Sequence, residues 1–157
     1  MRHKIIFSIQ AFLLVLGLFQ FANAQTEPGE GAVNSFIISQ AKKAKADEDV
    51  DSRVFLHGDV NGDGKRDIVA QYTLEGFGGG NLYRQYLVVF LNSGKSFRYA
   101  THQSIGGKDN RTISLDSIKD GKINFETLEY APDDASCCPS KKGKARFVFS
   151  QGKLKEI

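Results

Sequence analysis

Two stretches carry the fold: Asp67-Ile68-Val69-Ala70-Gln71-Tyr72-Thr73-Leu74 and Tyr86-Leu87-Val88-Val89-Phe90-Leu91. In the first, Ile68, Ala70, Tyr72 and Leu74 recur at every second position, the period that puts side chains on one face of a β-strand. The second is apolar at six consecutive positions, so both of its faces must be covered and it should be the central strand of a sheet.

Working outward, the same two-residue rhythm marks further strands at Arg53–His57, Ser96–Gln103, Arg111–Ile118, Lys122–Tyr130, Ala145–Ser150 and Lys153–Ile157, with the quoted pair extended to Asp67–Leu74 and Tyr83–Leu91. Short turn-forming spacers part most of them: Asn92-Ser93-Gly94, Gly106-Gly107, Lys119-Asp120-Gly121 and Gln151-Gly152. Spacers this short favour antiparallel hairpins over parallel crossovers. Ahead of the strands, Val33, Phe36, Ile37, Gln40, Ala41 and Ala44 fall three or four apart, one face of a helix, and Asp47-Glu48-Asp49 reads as an acidic turn that ends it. The expected fold is mainly β (α+β), an N-terminal helix packed on an antiparallel meander. The sheet is curled or barrel-like, with open and closed forms equally allowed.

The first residues read differently. Met1-Arg2-His3-Lys4 is a basic head, Ile5 to Phe21 is mostly apolar, and Ala22-Asn23-Ala24 is a small-x-small end. That order is the pattern of a secretory signal peptide, cut after Ala24. The chain then divides into a signal peptide (1–24), a polar linker (25–31) and one β-rich domain (32–157). Export to the periplasm or the extracellular space follows. The cut leaves 133 of 157 residues and removes Arg2 and Lys4 but no acid, so 19 basic residues face 18 acidic ones. A nearly neutral domain has no general attraction for nucleic acid, and no later apolar stretch is long enough to span a bilayer.

The strongest chemical signal is Gly58-Asp59-Val60-Asn61-Gly62-Asp63-Gly64-Lys65-Arg66-Asp67, which joins the first two strands. Asp59, Asn61, Asp63 and Asp67 occupy positions 1, 3, 5 and 9 of a D-x-N-x-D-G-x-x-D loop, and the Lys65 carbonyl adds a main-chain oxygen. Hard cations such as Ca²⁺ collect six to eight oxygens, and alternate side chains on a tight turn deliver several of them. The loop is not an EF-hand: Ala70 stands where the bidentate Glu would be, and a strand follows instead of a helix. The missing ligand implies weak binding, with a Kd on the order of 10⁻⁴ M. A solvated Asp/Asn/Gly turn is the alternative. Residues 58–70 resemble the calcium loops of FG-GAP and VCBS-type repeats, in which a similar loop connects two strands. Those repeats build propellers in tandem; one copy here implies none.

The second signal is Cys137-Cys138, the only cysteines. In an oxidising compartment they can pair within the chain only with each other. A vicinal disulfide shaping the loop is one reading; free or intermolecular thiols and a reactive thiol are the others. The segment from Tyr130 to Ser140, with the acidic loop and Gly76-Phe77-Gly78-Gly79-Gly80-Asn81, is similar to small exported bacterial proteins and lipoproteins of the LppP/LprE type, which carry a D-x-x-C-C-P-S element near the C-terminus. The resemblance implies the same β-rich architecture and brings no activity with it. This chain lacks their lipobox cysteine.

No Ser/His/Asp arrangement stands out. His57 and His102 are single residues, and Glu126 and Glu129 fall on opposite faces of their strand. Asn110-Arg111-Thr112 matches a glycosylation sequon. These features point to a calcium-stabilised binding or structural module of the cell envelope, its partner an envelope protein or ligand. The rivals are a hydrolase with a site between the Gly-rich and Cys-Cys loops, and an inhibitor of an envelope enzyme.

Overall fold

The computed structural model describes residues 27–157; the segments expected to be a signal peptide and the start of a linker lie outside the described residues. One helix, α1 (Glu30–Ala44), precedes eight strands: β1 (Asp47–Gly58), β2 (Asp67–Glu75), β3 (Tyr83–Asn92), β4 (Phe97–Gly107), β5 (Arg111–Lys119), β6 (Lys122–Glu129), β7 (Lys141–Ser150) and β8 (Lys153–Glu156). The strands form two open four-stranded antiparallel sheets, β1-β2-β3-β4 (sheet 1) and β5-β6-β7-β8 (sheet 2), neither closed into a barrel. The sequence-based reading of a helix on an antiparallel meander holds, with the meander broken between β4 and β5.

Three layers result: α1, sheet 1 and sheet 2. The helix lays Val33 and Ile37, both fully buried, onto Ile68, Ala70, Tyr72 and Leu74 of β2 and Val88 and Phe90 of β3. Each such side chain contributes about 1.5–3 kcal/mol when taken out of water. The opposite face of sheet 1 packs Val69, Leu87, Val89 and Ile105 against Ile113, Leu115, Ile123, Phe125 and Phe147 of sheet 2. The apolar run of β3 is thus explained, since Val88 and Phe90 meet the helix while Leu87 and Val89 meet sheet 2. Among the described residues no third layer covers sheet 2, and β6 alternates, with Ile123, Phe125 and Thr127 buried between exposed or half-buried neighbours.

β2 is buried on both faces as well, although three of the four buried positions on its face toward sheet 2, Asp67, Gln71 and Thr73, are polar. Gln71 Nε2 donates to the Ile113 carbonyl (2.6 Å) and its Oε1 accepts from the Leu115 amide (2.6 Å). Gln85 of β3 donates to the same carbonyl (3.0 Å) and accepts from the Ile113 amide (2.9 Å). β5 is an edge strand of sheet 2, so these two glutamines satisfy main-chain groups that no strand reaches.

Four boundaries differ from the sequence reading, one of them β7, which begins at Lys141 and not at Ala145 because Lys141 to Lys144 pair with Glu126 to Glu129 of β6. The helix begins at Glu30, inside the segment assigned to the linker, because Gly29 caps it at φ 92° where Phe97 and Ile68 leave no room for a Cβ. Asp47-Glu48-Asp49 is not a turn; it pairs with Glu75, Leu74 and Thr73 as the start of β1. A register shift follows between Asp49 and Val54, and there Arg53 grips Glu48 with Nε (2.6 Å) and Nη2 and reaches Asn34 of the helix. Finally, β4 runs through Gly106-Gly107, which pair with Gln85 and Arg84, and the turn falls at residues 108–110.

Candidate functional site

The acidic loop bridges β1 and β2 as expected, and its conformation is set by side chains accepting from its own backbone. Asp59 takes the amides of Asn61 (3.2 Å), Gly62 (2.7 Å) and Gly64 (2.7 Å). Asn61 Oδ1 takes the Asp63 amide (3.0 Å), and Asp63 takes that of Lys65 (2.9 Å). Gly62 and Gly64, at φ 80° and 79°, provide the left-handed bends that bring these amides round. The Lys65 side chain folds onto Asp63 (3.2 Å).

Asp67 stands apart. It is fully buried, with Oδ2 accepting from the Val60 amide (3.0 Å) and Oδ1 from the Asn92 amide of β3 (2.9 Å). Asn92 Nδ2 in turn donates to the Arg66 carbonyl (3.1 Å). The end of the loop is therefore clamped to the third strand. Asp59, Asn61 and Asp63 are linked in one chain of hydrogen bonds, whereas Asp67 spends both oxygens on main-chain amides. Among the described residues no three His, Cys, Asp or Glu side chains are grouped closely enough to hold a metal ion by themselves.

The charges respond to this layout. The Gly64 amide, foremost, holds the Asp59 carboxyl below the usual aspartate range, and the Lys65 amide does the same for Asp63. Burial pushes Asp67 upward against its two amides, assisted by the negative charges of Asp63 and Asp59. Beside the loop lies a surface hollow of about 470 Å³ that Asp59 and Gly62 share with Ile118, Asp120 and Gly121 of the β5–β6 turn. Asp120 comes from a turn some sixty residues away in sequence, and no local pattern could have brought it to this hollow.

At the β6–β7 connection the structure joins Cys137 and Cys138 in a vicinal disulfide, Cα atoms 3.7 Å apart, with both residues exposed. The loop is closed by its ends: Asp134 accepts from the Ala131 amide (2.7 Å), the Ser140 amide (2.8 Å) and the Ser140 hydroxyl (2.7 Å). The Tyr130 hydroxyl donates to the Ser136 carbonyl (2.7 Å). Asp134 and Ser140 are the first and last residues of the D-x-x-C-C-P-S element, so the motif is a clasp around the cysteine pair. The sequence reading quoted both residues and gave them no role, although an Asp ahead of a turn is a known acceptor for amides further along.

The histidines sit elsewhere. His57 Nε2 lies 3.3 Å from Glu30 Oε1 in the first turn of α1. His102 Nδ1 is hydrogen-bonded to the Tyr99 hydroxyl (2.9 Å), because a register shift at residues 99–101 turns both side chains to the helix face of β4. Glu126 faces solvent and pairs with Lys144 (3.2 Å). Among the described residues no helix is long and apolar enough to cross a membrane.

These features define a three-layer α/β/β domain with two Asp-organised loops. Comparison with protein-family models, with curated proteins and with solved structures returns no match.

Proposed function

We propose that this chain is an exported β-rich module of the cell envelope, acting by binding or as a structural part, and that its Asp59–Asp67 loop takes a Ca²⁺ ion that stabilises it. The basic-apolar-small pattern of residues 1–24 and the adjacent cysteine pair both suit an oxidising compartment outside the cytoplasm. The observation that carries the metal reading is the loop geometry: two exposed carboxylates and an amide oxygen sit at alternate positions of a tight bend, anchored from below by Asp67. In this reading Asp59, Asn61, Asp63 and the Lys65 carbonyl hold the ion, and Asp67 either joins them by releasing an amide or fixes their spacing. The Lys65 ammonium would leave Asp63 as the ion enters.

Calorimetric titration of the mature protein with CaCl₂ tests this. Saturable binding with a Kd on the order of 10⁻⁴ M is expected, absent in Asp63→Ala. At about 1 mM Ca²⁺ that affinity stabilises the fold by about 1.4 kcal/mol, a rise in melting temperature of about 5 °C. A wild-type protein that gives no heat and no shift would make the loop a plain turn.

A further inference from the structure

Sheet 1 is covered by α1 on one face and by sheet 2 on the other, whereas among the described residues nothing covers the outer face of sheet 2. Alternation assigns the side chains of that face. Ile123, Phe125, Ala145, Phe147 and Leu154 are buried inward, so the residues between them point out. On β7 these are Lys142, Lys144 and Arg146, followed by Val148. On β8 they are Lys153 and Lys155, and at the β5–β6 hairpin Lys119 stands opposite Lys122. All seven cations are exposed.

Strand register gathers them into one field. Lys122 of β6 and Lys155 of β8 both pair with Val148, one on each side of it. At ordinary strand spacing and rise the field measures on the order of 15 Å by 25 Å. Two acidic side chains share the face, Asp116 and Glu126. Glu126 pairs with Lys144, and the other six cations make no ion pair among the described residues. Asp120 lies in the hollow beside Asp59. Residues 27–157 carry 19 basic and 18 acidic side chains, so a face with seven against two leaves the rest of the domain net negative. The charge is segregated by the fold, and the face it produces selects an anionic partner.

Three features favour a lipid surface over a polymer strand. The cations spread in two dimensions over all four strands, which matches a plane of headgroups better than a line of charges. Six of the seven are lysines, flexible point charges that need no fixed bidentate geometry. Apolar side chains stand among them: Leu128 and Val148 are half-buried, and exposed Ile157 donates its amide to the Arg146 carbonyl (2.9 Å). Apolar groups within a cationic face gain from the acyl boundary of a bilayer.

We propose that the outer face of sheet 2 docks the domain onto an anionic phospholipid surface, its lysines and Arg146 meeting the headgroups and Ile157 the acyl boundary. This gives the binding-module reading a partner and rests on that reading only for the compartment in which the two meet. The calcium loop takes no part.

Co-sedimentation of the mature protein with vesicles, in calcium-free buffer of low ionic strength, tests this. Vesicles of phosphatidylcholine with about 30% phosphatidylglycerol should carry the protein down, and pure phosphatidylcholine should not. Binding should be lost in about 0.5 M NaCl, where the screening length falls to about 4 Å. Lys122→Gln/Lys155→Gln should weaken binding about 25-fold, at about fivefold for each charge near the surface. Lys42→Gln/Lys43→Gln removes the same net charge from α1, two layers away, and should change binding by less than about twofold. Both pairs are exposed, and unchanged melting temperatures would show that the variants fold. Asp63→Ala should bind the vesicles at least as well as the wild type, which separates failure here from failure of the calcium reading. Equal binding to pure phosphatidylcholine, equal losses in the two lysine pairs, or binding to dextran sulfate without binding to the mixed vesicles would overturn the proposal.

Discussion

The two Asp-organised loops use one device in opposite surroundings. Asp67 accepts two main-chain amides in the closed interior between β1, β2 and β3, whereas Asp134 accepts two amides and a hydroxyl at the surface. Hydrogen bonds to a carboxylate favour its charged form in both places. At Asp134 the Ala131 amide leads and the carboxyl lies below its ordinary range. At Asp67 burial leads and the carboxyl lies above it. A similar set of donors therefore produces opposite shifts, and the removal of water decides the sign.

The largest test removes the buried acceptor. Asp67→Ala leaves the Val60 and Asn92 amides without partners in a closed site, and a loss of about 2–4 kcal/mol is expected, read as a lower denaturant midpoint at constant slope. A loss no greater than that of a surface substitution would mean that water reaches the site and that the contrast with Asp134 is false.

The pH dependence sharpens the same contrast. A carboxyl raised in the fold adds stability that is present below its unfolded pKa and is lost as pH rises through its folded value. Asp67 should behave so. Asp134, lowered in the fold, adds stability present above the unfolded value and lost as pH falls. Carboxyl-carbon NMR titration should place the Asp67 midpoint above, and the Asp134 midpoint below, that of an unstructured aspartate. Millimolar Ca²⁺ should draw the Asp67 midpoint down, since a cation cancels the repulsion of Asp59 and Asp63, and leave Asp134 unmoved. Midpoints in the reverse order would break the comparison.

The smallest effect belongs to Asp134→Ala. Water replaces the lost acceptor, so the global midpoint should stay within error while the Ala131 and Ser140 amides exchange faster with solvent. A cooperative loss of stability instead would make the Cys-Cys loop part of the fold's core.

Much of this architecture is legible before any tertiary structure is known. The eight strands, the helix stripe of Val33 and Ile37 and the loop from Asp59 to Asp67 all rest on local periodicity or on turn chemistry within ten residues, and the structure places each of them within a few residues of expectation. The exceptions have tertiary causes. Asp47 to Asp49 looks like a turn by composition and becomes a strand because Glu75, Leu74 and Thr73 pair with it and Arg53 neutralises Glu48. Gly106-Gly107 looks like a turn because no local signal shows that its residues pair with β3.

What the amino-acid order determined by itself is therefore which residues are strands, which is helix, and which carboxylates share a loop, because these depend on the spacing of neighbours along the chain. Tertiary structure alone decided that the strands part into two sheets, that Gln71 and Gln85 meet the free edge of β5, that Asp67 is sealed beneath the loop, and that Lys122 and Lys155 flank Val148 on the outer face of sheet 2. The reason is range. Periodicity acts over a few residues, whereas desolvation and the pairing of buried polar groups depend on which surfaces, tens of residues apart, come together.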